Sequence, residues 1–340
     1  MADTRQRLAT LVKQTVIITL ITCVLFVLVE GLSSIGLMML RIRDARPAAA
    51  TWGTASLYDE EIGWVGKPDS ELPHLYGKEV GVRTNGQGFR DDSETESQVA
   101  GAKQRLICSG DSFTFGQGVA NEDTWCQLLE TFDSRLDTVN LGQPGYGVDQ
   151  MYLLYMRDGL ALEHSIHILA FIGADLDRMG RLQQHLYGKP ALSLVDGNLQ
   201  PENMPVPGFS WWLSRKVALL DPNFFELSRR ITGSLFSPSG DGRTLVERVG
   251  PVARAVFDSV QSIDQENGIV TLFVYLPGEG DIASDTAWRT WTAETMAELK
   301  ANYIDMTDDL RKLPAPWQYP TSSPDEGLGL VTTARPAIAG

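Results

Sequence analysis

Residues Ile107 to Val119 read ICSGDSFTFGQGV and contain the chain's clearest chemical signal. An apolar run, Leu106 to Ser109, meets Gly110-Asp111-Ser112, followed by a turn punctuated by Gly116 and Gly118. A glycine at the end of a strand lets the backbone turn where a Cβ would clash. Ser112 then falls where the next helix opens, its hydroxyl beside backbone N–H groups that have no intrahelical acceptor. A serine nucleophile with an oxyanion-stabilising amide is built in this way. The same residues also suit a plain strand followed by an N-capping Asp or Ser.

Positioning such a serine requires a rigid scaffold, and the pattern beyond residue 104 supplies one. Apolar runs at 106–109, 138–141, 166–172, 269–276 and 303–306 alternate with helix-period segments at 123–133, 148–160, 243–265 and 286–300. Short continuous apolar runs between amphipathic helices predict a parallel sheet covered on both faces. The expected fold is therefore three-layer α/β/α with a parallel sheet. Ligands gather at the carboxyl ends of such strands. Ser112 follows the first run, Asn140-Leu141-Gly142 the second and Gly173-Ala174-Asp175 the third, and Asp325 follows the last helical stretch. Between 180 and 240 the strand signal disappears. Trp211-Trp212 and Phe224-Phe225 stand there among prolines and glycines, as expected of an insertion acting as a lid or as cover.

Ahead of this domain, Val16 to Val29 is uncharged and almost wholly apolar, and apolar character resumes after Glu30 through Leu40. A helix over about Val12 to Leu40 exceeds the roughly 20 residues needed to cross a bilayer. The expected organisation is a tail at 1–14, a membrane anchor at 15–40, a linker at 41–57 and the α/β domain at 58–340 with its insertion at about 180–240. Ala48-Ala49-Ala50 lies too far past the apolar core for ordinary signal cleavage, so the anchor is read as uncleaved. Arg5, Arg7 and Lys13 precede it and Arg41, Arg43 and Arg46 follow, so the charges set no orientation. Glu30 is expected at the headgroup level.

The net charge of −14 over 340 residues argues against nucleic acid and against anionic lipid as partners. Cys23, Cys108 and Cys126 indicate no disulfide. The four histidines, His74, His164, His167 and His185, have no metal-ligand spacing, so no metal and no cofactor is expected. A nucleotide site on Gly116-x-Gly118 lacks the Lys-Ser/Thr of a P-loop.

Taken together, the motifs resemble the SGNH (GDSL-type) ester hydrolase superfamily, and in particular its bacterial membrane-anchored members. The resemblance covers about residues 58–330 and implies a flavodoxin-like winding of the parallel sheet. It rests on Gly110-Asp111-Ser112-Phe113 with Gly116 and Gly118, and on Asn140-Leu141-Gly142…Gly145-Tyr146-Gly147-Val148-Asp149-Gln150. A leading Gly63-Trp64…Lys67-Pro68 and Thr84-Asn85…Gly88-Phe89-Arg90 segment completes it. The resemblance implies Ser112 as nucleophile, Ser112 and Gly142 N–H groups as oxyanion donors, and a cleft lined by Asp111, Asn140, Gly173, Ala174 and Asp175. It implies Asp325 as the residue that would orient a catalytic histidine. The chain departs from the family at two positions. Ala174 stands where a third block has an asparagine donor, a loss worth about 10²–10³ in rate. Leu328 stands where a C-terminal Asp-x-x-His has its base, and leucine cannot take a proton from serine. After Asp325 the chain reads EGLGLVTTARPAIAG, without the closing helix the family implies, as a degenerate or frameshifted end would.

The implied activity is hydrolysis of acyl esters, often O-acetyl groups on envelope or exported polysaccharide, by a membrane-anchored extracytoplasmic domain. Acyl transfer to a glycan with a membrane partner is a close variant. A catalytically inactive protein that keeps the cleft to bind glycan or a polysaccharide-assembly partner is the alternative, with Trp211, Trp212, Trp288 and Trp291 as candidate sugar-stacking surfaces.

Overall fold

A computed structural model describes residues 2–78, 80–99, 101–184, 187–208, 223–224, 227–228 and 244–313. The chain divides into two compact units, one of residues 1–48 with 209–242 and the other of 49–208 with 243–340. Helix α1 runs from Ala2 to Ala55, with all but its last seven residues in the first unit. Its stretch Thr10–Leu40 is long and apolar enough to cross a membrane. Exposed Leu, Ile, Val and Phe side chains surround it from Leu11 to Val29, the pattern of a helix without a polar face. The helix continues through residues 41–55, which the sequence assigned to a linker. Alanine and arginine, frequent there, are strong helix formers.

The second unit is built on five parallel strands: β1 (Gln104–Gly110), β2 (Leu136–Asn140), β3 (Ile166–Phe171), β4 (Val270–Tyr275) and β5 (Tyr303–Asp305). Their spatial order is β5-β4-β3-β1-β2, the flavodoxin-like winding, which reverses direction between β1 and β3. The helices that concern the site are α2 (Ser112–Phe115), α3 (Trp125–Phe132), α4 (Val148–Leu154), α5 (Gly173–Met179), α6 (Leu245–Glu266) and α7 (Ala287–Leu299).

Alternation along β1 explains the layering. Successive side chains point to opposite faces. Cys108 meets α3, where it forms a disulfide with Cys126 and packs with Leu106, Ile168 and Trp125. No local pattern signals this bond, because nothing in an 18-residue separation says that a strand residue and a helix residue face each other. Ser109 points the other way. Its Oγ lies 2.9 Å from His167 Nε2, and His167 Nδ1 lies 3.0 Å from Asp264 Oδ2 on α6. Thr271 Oγ1 and the Tyr155 hydroxyl donate to the same carboxylate, and Tyr155 stacks on His167 at 3.6 Å. Phe257 on α6 completes this face against Phe171 and Phe273.

The strand-free reading of 180–240 needs correction in its first part. Residues 183–184 pair with 187–188, and 191–195 with 198–202, as antiparallel hairpins. Asp196 and Gly197, both with positive φ, make the two-residue turn that Asp-Gly favours. Residues 209–242 belong to the unit of α1 and not to that of the sheet. Trp211, Trp212 and Phe225 lie outside the described residues.

Candidate active site

The turn after β1 is shaped by what cannot fit there. A Cβ on Gly110 would lie 1.9 Å from Thr114 Oγ1 and 2.7 Å from the Ala170 carbonyl oxygen of β3. Glycine therefore lets β1 reach β3 while the chain doubles into α2. Asp111 caps α2, its Oδ1 accepting from Phe113 N at 2.8 Å. Gly116 ends α2 with φ +78°, in the left-handed region. Ser112 is half-buried at the first helical position, where its N–H has no intrahelical acceptor. Its hydroxyl donates to Asp111 Oδ2 at 3.3 Å, a long contact.

The second segment docks directly on this turn. A Cβ on Gly142 would lie 2.2 Å from Phe115 N, so only glycine permits the approach. Asn140 is buried at the end of β2, donating from Nδ2 to Thr114 O at 2.8 Å and accepting the Gly142 N–H on Oδ1 at 2.9 Å. The Gly142 N–H, expected as an oxyanion donor, is thus engaged with Asn140. It would become available only if the Asn140 carbonyl oxygen moved aside.

The third segment contributes charge. Ala174, at the start of α5, is exposed and offers a methyl group with no donor. Asp175 is buried and accepts the Ile172 N–H at 2.9 Å. Gly173 sits against Tyr275 and Trp288, where a Cβ would be 3.0 Å from the tyrosine oxygen.

Arg178, one turn along α5, joins the three segments, a role no sequence motif announced. Its Nη1 donates to Asp175 Oδ1, to Asp111 Oδ2 at 3.2 Å and to the Tyr146 carbonyl at 3.0 Å. Burial, then the negative charge of Asp111, pushes the Asp175 carboxyl well above the usual carboxylate range, against the opposing pull of Arg178. The cation and its two carboxylates form a buried platform beneath Ser112.

Arg90 of the leading Thr-Asn…Gly-Phe-Arg segment holds the other side of the turn. Fully buried, it donates to the carbonyls of Phe115, Gly116 and Val119 and to Asn121 Oδ1, with its guanidinium 4.9 Å from the Phe115 ring centroid. Trp64 Nε1 donates to the Pro144 carbonyl at 3.1 Å, and the Tyr146 hydroxyl returns a bond to Trp64 O. Gly66 and Gly88 pack backbone on backbone: a Cβ on Gly66 would lie 2.0 Å from Gly88 O. Asp149 pairs with Lys189 at 2.6 Å, both side chains without solvent exposure.

The structure brings Ser112, Gly142, Asp111, Asn140, Gly173, Ala174 and Asp175 to the carboxyl ends of β1, β2 and β3, beside the winding reversal. Asp325, Leu328 and His185 lie outside the described residues. His167 and His164 are committed elsewhere: His167 to Ser109 and Asp264, His164 to the Tyr155 hydroxyl at 2.8 Å. Burial pushes the His164 imidazole below its ordinary value. Ser109, His167 and Asp264 have the bonding order of a catalytic triad, but all three are buried to within 1% and no substrate carbonyl could reach the serine. His74 is exposed. Trp288 and Trp291 meet edge to face at 5.4 Å, and Trp291 continues to Phe257, so they serve the core and form no sugar platform. Among the described residues no group of three or more His, Cys, Asp or Glu could hold a metal ion.

No protein-family model matches the chain, and no curated protein matches it. Among solved structures it is similar to a lipolytic protein of the G-D-S-L family from Desulfitobacterium hafniense, at 16% identity and TM-score 0.37, covering 64% of this chain and 84% of that one. It is similar to AlinE4, an SGNH-hydrolase family esterase, at 12% identity and TM-score 0.37, covering 66% and 89%. It is likewise similar to a catalytic mutant of Axe2, an acetylxylan esterase from Geobacillus stearothermophilus, at 12% identity and TM-score 0.33, covering 65% and 83%. Likeness at this level says nothing about the chemistry of Ser112, which rests on the residues themselves.

Proposed function

We propose that the chain is an SGNH-type serine ester hydrolase held to a membrane by α1, acting on acyl esters such as O-acetyl groups of envelope or exported polysaccharide. The observation that carries this reading is the turn at Gly110-Asp111-Ser112, which presents a half-buried serine hydroxyl at the winding reversal of a parallel sheet. Ser112 Oγ would attack the acyl carbonyl carbon as its proton passes to the Asp111 carboxylate that already accepts it, and collapse of the tetrahedral intermediate would expel the ester's alcohol with that proton. The oxyanion would form against the Ser112 N–H, joined by the Gly142 N–H once Asn140 releases it. Water or a sugar hydroxyl would then take the acyl group, giving hydrolysis or transfer. The Cys108–Cys126 disulfide supports a domain outside the cytoplasm, since such bonds persist in oxidising compartments.

Specific observations favour a second reading, a cleft that binds an acylated glycan or an assembly partner without turning it over. Ala174 lacks a donor, Gly142 N–H is already bonded, and His164 and His167 are committed elsewhere. Turnover of p-nitrophenyl acetate or acetylated xylan by the full chain decides between them. Turnover that disappears in Ser112→Ala supports the hydrolase. Absence of turnover together with saturable glycan binding supports the second reading and overturns the first.

A further inference from the structure

The stretch Thr10–Leu40 is 31 residues long, whereas a bilayer core of about 30 Å needs about 20 helical residues at about 1.5 Å each. Counted from Thr10, that length ends near Glu30, the first charged residue after Lys13. About ten residues, or about 15 Å of helix, are then left on the side of the α/β domain. They are not evenly exposed. Ser33 and Leu37, four apart and therefore on one helix face, are buried, while Leu32 and Met39 stand 69% and 63% exposed.

Residues from further along the chain lie against this stretch. Glu30 Oε1 accepts from Asn223 N at 2.7 Å and Asn223 Nδ2 at 2.8 Å, and Oε2 accepts from Phe224 N at 3.3 Å. Asn223 Nδ2 also donates to Ser34 Oγ at 2.8 Å. One turn further, a Cβ on Gly36 would touch Leu227 Cδ2 at 3.4 Å, so glycine leaves room for that leucine. A carboxylate within an apolar helix is costly unless it is paired and hydrogen-bonded. Here three N–H donors satisfy it.

We propose that residues 30–37 of α1 form a docking face at the membrane surface for Asn223, Phe224 and Leu227, with Glu30 as its polar anchor. The proposal rests on the reading that α1 spans a membrane.

The test uses the full chain in native membranes with Cys23→Ser, carrying Gly36→Cys and Leu227→Cys, under mild oxidation. An intramolecular crosslink in most molecules is expected. The pair Leu32→Cys with Leu227→Cys, on the exposed face, should crosslink at least about tenfold less. Adding Glu30→Leu to the first pair should lower its yield severalfold, whereas Glu30→Gln, whose amide oxygen still accepts these N–H groups, should retain it. Equal yields for the two pairs, or no loss with Glu30→Leu, would overturn the proposal. Recovery of the unsubstituted chain in the soluble fraction would instead overturn the anchor reading on which it rests.

Discussion

Arg178→Met is the most informative perturbation of the site. In the wild type one guanidinium serves two fully buried carboxylates, Asp111 at 3.2 Å and Asp175 at a short hydrogen bond, plus the Tyr146 carbonyl at 3.0 Å. Removing one partner of a buried pair costs about 3–5 kcal/mol, because it strands the other charge. Two carboxyl groups lose their cation here, so the upper end of that range applies once Asp175 is ionised. Burial and Asp111 already raise the Asp175 carboxyl, and loss of the cation raises it further. A carboxyl whose folded-state pKa exceeds its unfolded value contributes stability that is present below the unfolded value. That stability is lost as pH rises through the folded one. The variant should therefore be nearer wild type at about pH 5 than at about pH 8. For a domain of this size the cost at the higher pH corresponds to a fall in Tm of about 10 °C or more. Thermal unfolding of the full chain in detergent, followed by near-UV circular dichroism at both pH values, measures this. Adding Asp175→Asn to Arg178→Met should restore at least about half of the loss, since one stranded charge is removed. A Tm within about 2 °C of wild type, or an equal loss at both pH values, would refute the buried platform.

Other consequences are equally concrete. Replacing Cys108 and Cys126 by serine opens a loop of 18-residue separation and should cost about 3 kcal/mol in a urea titration; thiol titration of the denatured, unreduced wild type should find Cys23 alone, and three thiols would contradict the bond. Lys189→Met leaves the buried Asp149 carboxylate unpaired and should cost about 3–5 kcal/mol, with Asp149→Leu added to it recovering much of the loss; an unchanged urea midpoint in the single variant would show that the pair is not buried. Gly142→Ala places a methyl carbon 2.2 Å from a backbone nitrogen that cannot yield, so the variant should lose several kcal/mol and any Ser112-dependent turnover; a folded variant with wild-type Tm would show that the second segment does not dock on α2.

The strands and helices of the α/β unit were legible because each buried strand is a short apolar run and each covering helix has its own periodicity. Gly110 could be singled out for a related reason, since only its position at a strand end matters and sequence records it, whereas Gly142 was marked by the family resemblance. The winding order was less visible, because it depends on which strand edge each crossover chooses. Arg178 could not be singled out, being one arginine on an amphipathic helix until Asp111 and Tyr146 are brought beside it from 67 and 32 residues away. The Cys108–Cys126 bond was hidden for the same reason. Asn140 was named as a cleft residue, but its hold on the Gly142 N–H is a tertiary detail with no local signal. The partner of Glu30 lies 193 residues further along the chain, beyond the reach of any local pattern.

The central claim is that Ser112 is the nucleophile of this site, and covalent labelling addresses it most directly. The full chain treated with a fluorophosphonate should carry the phosphonyl group on the peptide containing Ser112. The label should be absent from Ser112→Ala, as should turnover of p-nitrophenyl acetate. A label on another serine, or turnover that survives Ser112→Ala, would contradict the account.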